Sequence, residues 1–363
     1  MHTTKWQLFR FSLIYFSSQT TIFLIPILVE TSGYQGWIAL VGGGFLSLCI
    51  LFFTIQVGRL KPDQGWIDFG KEIMGTWLHR LMVLLLLCWC IYYASFDIEN
   101  FVLFFGSNYT RGTPPIFIQI IIGLVIMYTA TLGITTIIYM ADGIFLIFFM
   151  ASLLSVYMFI PYADLSMLPA FLHYHDPGIA LKDSISVTSW FADWLVFLFL
   201  APELRMGSKM LKILAVSSIS ILLIVLTGWI MTMLNFGPHL GKELQYPFLE
   251  MIRSSSHHNI LGNLDPLLIG IWSASMFIHA AFLIYIACKC ALHLSKQKGK
   301  RLMIPLLTIC STIIAYLYSR NIVMYYSNFN SDLIIGFWLF IECIPVYYFI
   351  AAFTRSKIGR AVK

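Results

Sequence analysis

Five polar residues in unbroken succession, Ser17-Ser18-Gln19-Thr20-Thr21, stand inside an apolar run that closes on Ile22-Phe23-Leu24-Ile25-Pro26. About half a chain later the pattern returns, with Ser184, Ser186, Thr188, Ser189, Trp190, Phe191, Ala192 and Asp193 ahead of Phe199-Leu200-Ala201-Pro202. Polar groups in that density within hydrocarbon are costly unless they face protein, water or a ligand. The plainer alternative is that the hydroxyls bond back to their own helix carbonyls and pack against a neighbour. Recurrence in two halves points instead to solute recognition near the bilayer midplane. Where a helix unwinds, one free end offers N–H groups to a carboxylate and the other offers carbonyls to an ammonium or cation. A zwitterionic amino acid suits both ends. No glycine occurs between Ser12 and Glu30, so the polar pattern alone does not establish an unwound segment.

Other ionisable groups fall within apolar runs. Asp97 lies in Tyr92-Tyr93-Ala94-Ser95-Phe96-Asp97-Ile98-Glu99-Asn100, a turn or so past mid-span. A bare carboxylate there costs several kcal/mol, so a partner or a water-filled vestibule is expected. Asp142, Asp193, His279 and Glu342 complete the set. His279 shares a helix face with Trp272 and Ser275 by three- and four-residue spacing. A lone histidine on an apolar helix is more often a satisfied structural donor than a ligand. No nucleophile motif, HExxH or phosphate-binding loop is present, so enzymatic chemistry, cofactors and metals have no support.

These residues must be carried by membrane helices. Hydrophobic residues make up 59% of the 363, charged residues 11%, and mean hydropathy is +0.82, a balance foreign to water-soluble domains. With roughly 20 apolar residues needed per crossing, ten spans are expected. They are Leu8–Val29, Trp37–Val57, Leu81–Phe105, Ile116–Leu132, Thr136–Ile160, Ser184–Ala201, Leu211–Leu234, Leu267–Lys289, Leu302–Ser319 and Leu333–Phe353. The basic residues test this count. Arg111, Lys182, Lys242, Arg253 and Arg320 fall on one side, and the remaining 18 of 23 fall on the other, so both termini are expected in the cytoplasm. The break between the fourth and fifth spans, at Gly133, is kept because an unbroken helix from Ile116 to Ile160 is far too long for one crossing. The net charge of +6 belongs to the cytoplasmic face, and nothing supports nucleic-acid binding. Five spans per half, an odd number, make the second half an inverted copy of the first, with repeats at 1–160 and 161–363.

Several features have plain readings. Gly42-Gly43-Gly44 permits close helix packing. The seven cysteines sit in or beside apolar runs as small hydrophobes. His173, His175, His239, His257 and His258 form no zinc pattern. The segment opened by Lys61-Pro62-Asp63-Gln64 and running through Trp77 is expected to lie at the membrane interface, anchored by Trp66 and Trp77. The long outer connections, 161–183 and 235–266, have the length of lids or docking surfaces.

Taken together, the ten spans, Lys61-Pro62-Asp63-Gln64, Ala94-Ser95-Phe96-Asp97, Phe191-Ala192-Asp193 ahead of Pro202, Tyr246-Pro247, and Leu264-Asp265 followed by Trp272 resemble the B subunit of spore germination receptors. That family, the endospore germination permeases, belongs to the amino acid, polyamine and organocation superfamily. The resemblance implies an all-α membrane fold with a five-plus-five inverted repeat like that of the bacterial leucine transporter. It also implies a germinant-sensing role beside A and C subunits in the inner membrane of a dormant spore. The ligand pocket it implies, between the first, third, sixth and eighth spans, falls here on Gln19, Thr20, Thr21, Tyr93, Phe191, Asp193, Ser275 and His279. Asp97, Asp142 and Glu342 are the accompanying intramembrane charges. Gln19 and Thr21 replace glycines often found in relatives, Ala192 and Asp193 stand where glycine and glutamate are usual, and Thr135 and Tyr139 where glutamate and arginine often occur. A changed pocket, hence a changed germinant, is the implication.

The expected function is a receptor in which a small nutrient, an amino acid by preference, selects one conformation for partner subunits to read. The rival is a secondary transporter coupling amino acids to a proton or cation through Asp97, Asp193 or Glu342.

Overall fold

The computed structural model describes residues 4–173, 175–200, 208–256, 265–297, 299–329 and 331–361. Among them there is no strand. In chain order the helices are α1 (Lys5–Gln19), α2 (Ile25–Ser32), α3 (Gly36–Leu60), α4 (Trp66–Met74), α5 (Thr76–Asn108), α6 (Pro115–Thr131), α7 (Ile134–Phe159) and α8 (Pro177–Phe191). They continue as α9 (Ser208–Glu243), α10 (Pro247–Ser256), α11 (Asp265–Leu294), α12 (Lys300–Ser319), α13 (Ile322–Phe329), α14 (Asp332–Glu342) and α15 (Ile344–Ala361). Pro202 and Leu264, which the sequence pattern singles out, lie outside the described residues.

Among the described residues seven segments are long and apolar enough to cross a membrane, or eight if the bent pair α14–α15 counts as one. The first of these, Lys5–Leu60, has 56 residues, more than twice what one crossing needs. It is punctuated at Gly33, whose φ of 50° and ψ of −128° no side-chain-bearing residue adopts without strain. A second such residue, Gly133 with φ 84°, separates α6 from α7 at the expected break.

Burial sorts the helices into two groups. On α11, Ile278 and Ala280 through Ile284 are fully buried. By contrast α6, α7 and α12 turn large apolar side chains outward, among them Ile121, Leu146 and Ile309. An exposed apolar belt of that extent marks a lipid-facing surface. Close packing inside the belt depends on the glycine triplet of α3. A Cβ on Gly43 would sit 2.5 Å from the Val187 side chain of α8, and one on Gly44 would sit 2.6 Å from Leu222 of α9. The expectation that these glycines admit neighbouring helices therefore holds.

Two expectations need correction. Trp66 is buried against His79, Phe199 and Tyr348, and is no interfacial anchor. On α4 it shares a face with Phe69 and Gly70, also buried, so three- and four-residue spacing turns all three toward the protein. Trp77, beyond the Gly75 break, is exposed as expected. The tenth span is not one straight helix. It bends by 44° between Glu342 and Ile344, because Pro345 cannot donate a backbone bond one turn back and its ring crowds the preceding carbonyl.

Candidate functional site

Both polar runs are now resolved residue by residue. In the first, the hydroxyls of Ser17, Ser18, Thr20 and Thr21 donate to the carbonyls of Ile14, Tyr15, Phe16 and Ser17 at 2.7–2.8 Å. The plain reading thus accounts for every hydroxyl in that run. Gln19 is the exception, since its side chain leaves the helix and donates to Asp97 on α5. In the second run, Ser184, Thr188 and Ser189 bond back to Ala180, Ser184 and Ser186. Asp193 is the exception there.

The backbone does not unwind in the first run, where the sequence pattern leaves unwinding open. Thr20–Leu24 forms a five-residue π-helical turn flanked by αR residues, and the chain stays helical through it. Pro26 withholds a bond from the preceding turn, and the hydroxyls bonding back donate to nearby helix carbonyls, so the helix widens instead of opening. The second run does change course. α8 ends at Phe191, Ala192 has φ −108° and ψ 13°, and Asp193–Leu200 continues as a 3₁₀ helix. Ser47 on α3 secures this junction, donating to the Phe191 carbonyl and accepting from the Trp194 indole at 2.9 Å.

Between the two irregular turns lies a buried polar cluster. His279 of α11 places Nδ1 2.7 Å from Asp97 Oδ2 and Nε2 3.8 Å from Asp193 Oδ2. Tyr15 of α1 donates to Asp193 Oδ2 at 3.4 Å, and its ring lies 4.4 Å from the imidazole. Tyr93 meets the same imidazole edge-on at 4.8 Å. Glu342, at the bend of the tenth span, faces Asp193. Neither Glu342 oxygen, nor Asp193 Oδ1, has a hydrogen-bond partner among the described residues. Asn100 extends the network by donating to Gln19 at 3.1 Å and accepting from Tyr325.

Three carboxyls and one imidazole make this cluster electrostatically incomplete. Were all four ionised, two excess negative charges would sit out of water, which only protons or a cationic ligand can balance. When ionised, the unpartnered oxygens can only accept, and so are matched to an ammonium with its several donors. A cavity of about 50 Å³ adjoins the cluster, lined by Gln19, Tyr93, Ser186, Ser189, Trp190 and Trp338.

Of the residues singled out by sequence, Gln19, Tyr93, Asp97, Asp193, His279 and Glu342 meet here. Phe191 borders them through the junction backbone. Thr20 is spent on its own helix. Thr21 and Ser275 face a different, larger cavity. Asp142 stands apart, ion-paired with Arg10 at 2.6 Å and partly exposed. Sequence reasoning missed Tyr15 and Asn100, which carry no signal beyond lying within one turn of Gln19 and Asp97.

Comparison with known proteins places the fold and the lineage. Residues 4–323 match the family described as spore germination protein. The chain belongs to that family. It is similar to spore germination protein XB of Bacillus anthracis, with 25% identity over 339 residues, 91% of this chain and 93% of the relative. Its structure is similar to that of a Na+-coupled sialic acid symporter in a substrate-bound, outward-open state. The TM-score is 0.69 with 13% identity, covering 95% of this chain and 79% of the symporter. The fold is therefore that of the leucine-transporter class, and this family member is a multi-pass membrane protein of a spore-forming bacterium.

Proposed function

We propose that this protein is the germinant-sensing membrane subunit of a spore germination receptor. A small nutrient, an amino acid in preference to other classes, binds beside the cluster of Gln19, Asp97, His279, Asp193 and Glu342. Partner A and C subunits read the resulting shift. The single observation carrying this reading is that each polar run commits one side chain, Gln19 or Asp193, to a shared cluster that still has unpartnered carboxylate oxygens. An amino acid's ammonium supplies the missing donors and the missing positive charge.

The size of the adjoining cavity supports a conformational response. At about 50 Å³ it has a third of the roughly 150 Å³ that accepts benzene, a molecule with as many heavy atoms as alanine. Entry of a nutrient thus requires the cavity walls, to which Trp190 of α8 and Trp338 of α14 contribute, to move apart. A ligand that binds only the opened state shifts the equilibrium by its differential affinity, which is what a sensor needs. The proposal includes ten crossings, both termini in the cytoplasm, and repeats at 1–160 and 161–363.

The test is substitution in spores. Changing Tyr93 or His279 should alter which nutrient triggers germination, or its required concentration, while the protein still accumulates. Unchanged dose–response curves for both would overturn the site. The carboxyl pair Asp193–Glu342 also supports a second reading, a proton-coupled amino acid transporter. Saturable uptake of labelled amino acid into liposomes holding this subunit alone would favour it over the sensor.

A further inference from the structure

A second cavity, of about 240 Å³, lies on the far side of the first span from the small one. Its walls come from α7, α9, α10 and α11, and its deep end from Thr21, Ile22 and Ile25 at the π-helical turn. Among the described residues no charged side chain lines it. Five hydroxyls do, those of Thr21, Ser152, Ser155, Thr227 and Ser275. Each donates to its own helix backbone at 2.7–2.9 Å, to Ser17, Phe148, Ala151, Leu223 and Trp272. The hydroxyl donors are therefore all occupied, and the interior presents hydrocarbon and satisfied hydroxyls. An amino acid or sugar would lose its water there without replacement.

The mouth identifies the source of an apolar occupant. Phe149 and Leu153 of α7 and Leu223 of α9 form part of the lining, and each is 43–55% exposed on the apolar belt. The opening is thus continuous with the surface that meets lipid tails. We infer that this cavity is a binding site for one acyl chain of a membrane phospholipid, entering sideways between α7 and α9. Its volume exceeds the roughly 150 Å³ that holds benzene in an apolar protein cavity, so a chain end several carbons long has room. The seated chain abuts Ile22 and Ile25, a short way along the helix from Gln19, and props the widened turn that aims Gln19 at Asp97.

The experiment uses the full chain in phosphatidylcholine nanodiscs doped with a phospholipid carrying a diazirine midway along one acyl chain. After irradiation, labelled peptides are mapped by mass spectrometry. Label should concentrate on the cavity walls, at 148–155 and 224–231, above the level at Leu306, Ile309 and Ile313 of α12, which are as exposed as the mouth. Ser155→Phe, and from the opposite wall Thr227→Phe, should each abolish that excess and leave α12 labelling unchanged. Label spread in proportion to exposure, or an excess that survives in both folded variants, would overturn the site. Excess labelling by a water-soluble diazirine alcohol but not by the phospholipid would overturn the lipid as occupant.

Discussion

Asp97 and Glu99 are two positions apart on α5 and equally removed from water, yet they live in opposite circumstances. Two residues apart on a helix means nearly opposite faces. Glu99 turns toward α6 and α12, where Gln119 donates at 3.0 Å and the Ser319 hydroxyl lies within 2.8 Å of both oxygens. Both partners are neutral, and each carboxyl oxygen has a donor within reach. Asp97 turns toward the irregular turns and joins Gln19 and His279, beyond which Asp193 Oδ1 and both Glu342 oxygens have no hydrogen-bond partner among the described residues. A polar group closed on itself rigidifies a helix bundle, whereas one with vacant acceptors is poised for a ligand. On the proposed function, the contrast separates a buried carboxylate that holds helices together from one belonging to a cluster left open to a solute.

The sharpest way to break this contrast is to remove the imidazole. His279→Ala leaves Asp97 and Asp193 without the group between them, and stranding a buried charge in this way costs about 3–5 kcal/mol. Thermal unfolding in detergent micelles should show a large loss of stability, and added nutrient should no longer protect. If nutrient still stabilised the variant as it does the parent, the cluster would not be the recognition site. Asp97→Asn is milder. It keeps the shape but loses charge-assisted bonds to Gln19 and His279, at about 1.5–3 kcal/mol. The nutrient concentration for half-maximal germination should move with it. On the other face, Ser319→Ala takes one hydroxyl from Glu99 and should cost about 1–3 kcal/mol with no change in nutrient response.

Much of the architecture was legible because lipid imposes a length and a polarity on every crossing. The break at Gly133 and the packing role of Gly42-Gly43-Gly44 follow from such rules and are found in the structure. That Asp97 needs a partner follows from the same rules, whereas the grouping of Gln19, Asp193 and His279 comes from the family resemblance; in the structure all four lie together. What escaped has equally physical causes. A π-helical turn differs from an α-helical one by a single hydrogen-bond register, which no composition rule detects at Thr20–Leu24. The bend that brings Glu342 to Asp193 did have a signal, Pro345, but one proline near the end of an apolar run reads as a boundary before it reads as a hinge. Trp66 was misplaced because an amphipathic helix next to a membrane has two apolar destinations, lipid or protein. Only tertiary packing against His79 and Tyr348 chooses between them.

The smallest expected effect discriminates most finely. Glu99→Gln replaces an acceptor pair with one acceptor and one amide donor. The retained oxygen can still accept from Ser319, and rotation of the Gln119 amide can bring its unpartnered Oε1 to accept from the new amide. The bond that Gln119 donated to Glu99 is then replaced by one it accepts, so stability should stay within about 1 kcal/mol of the parent. Germination should respond to the same nutrient at the same concentration. A marked change in nutrient response from this substitution, with the protein folded and present, would mean that the saturated face of α5 also takes part in recognition. The division between a structural carboxylate and a recognising one on that helix would then fail.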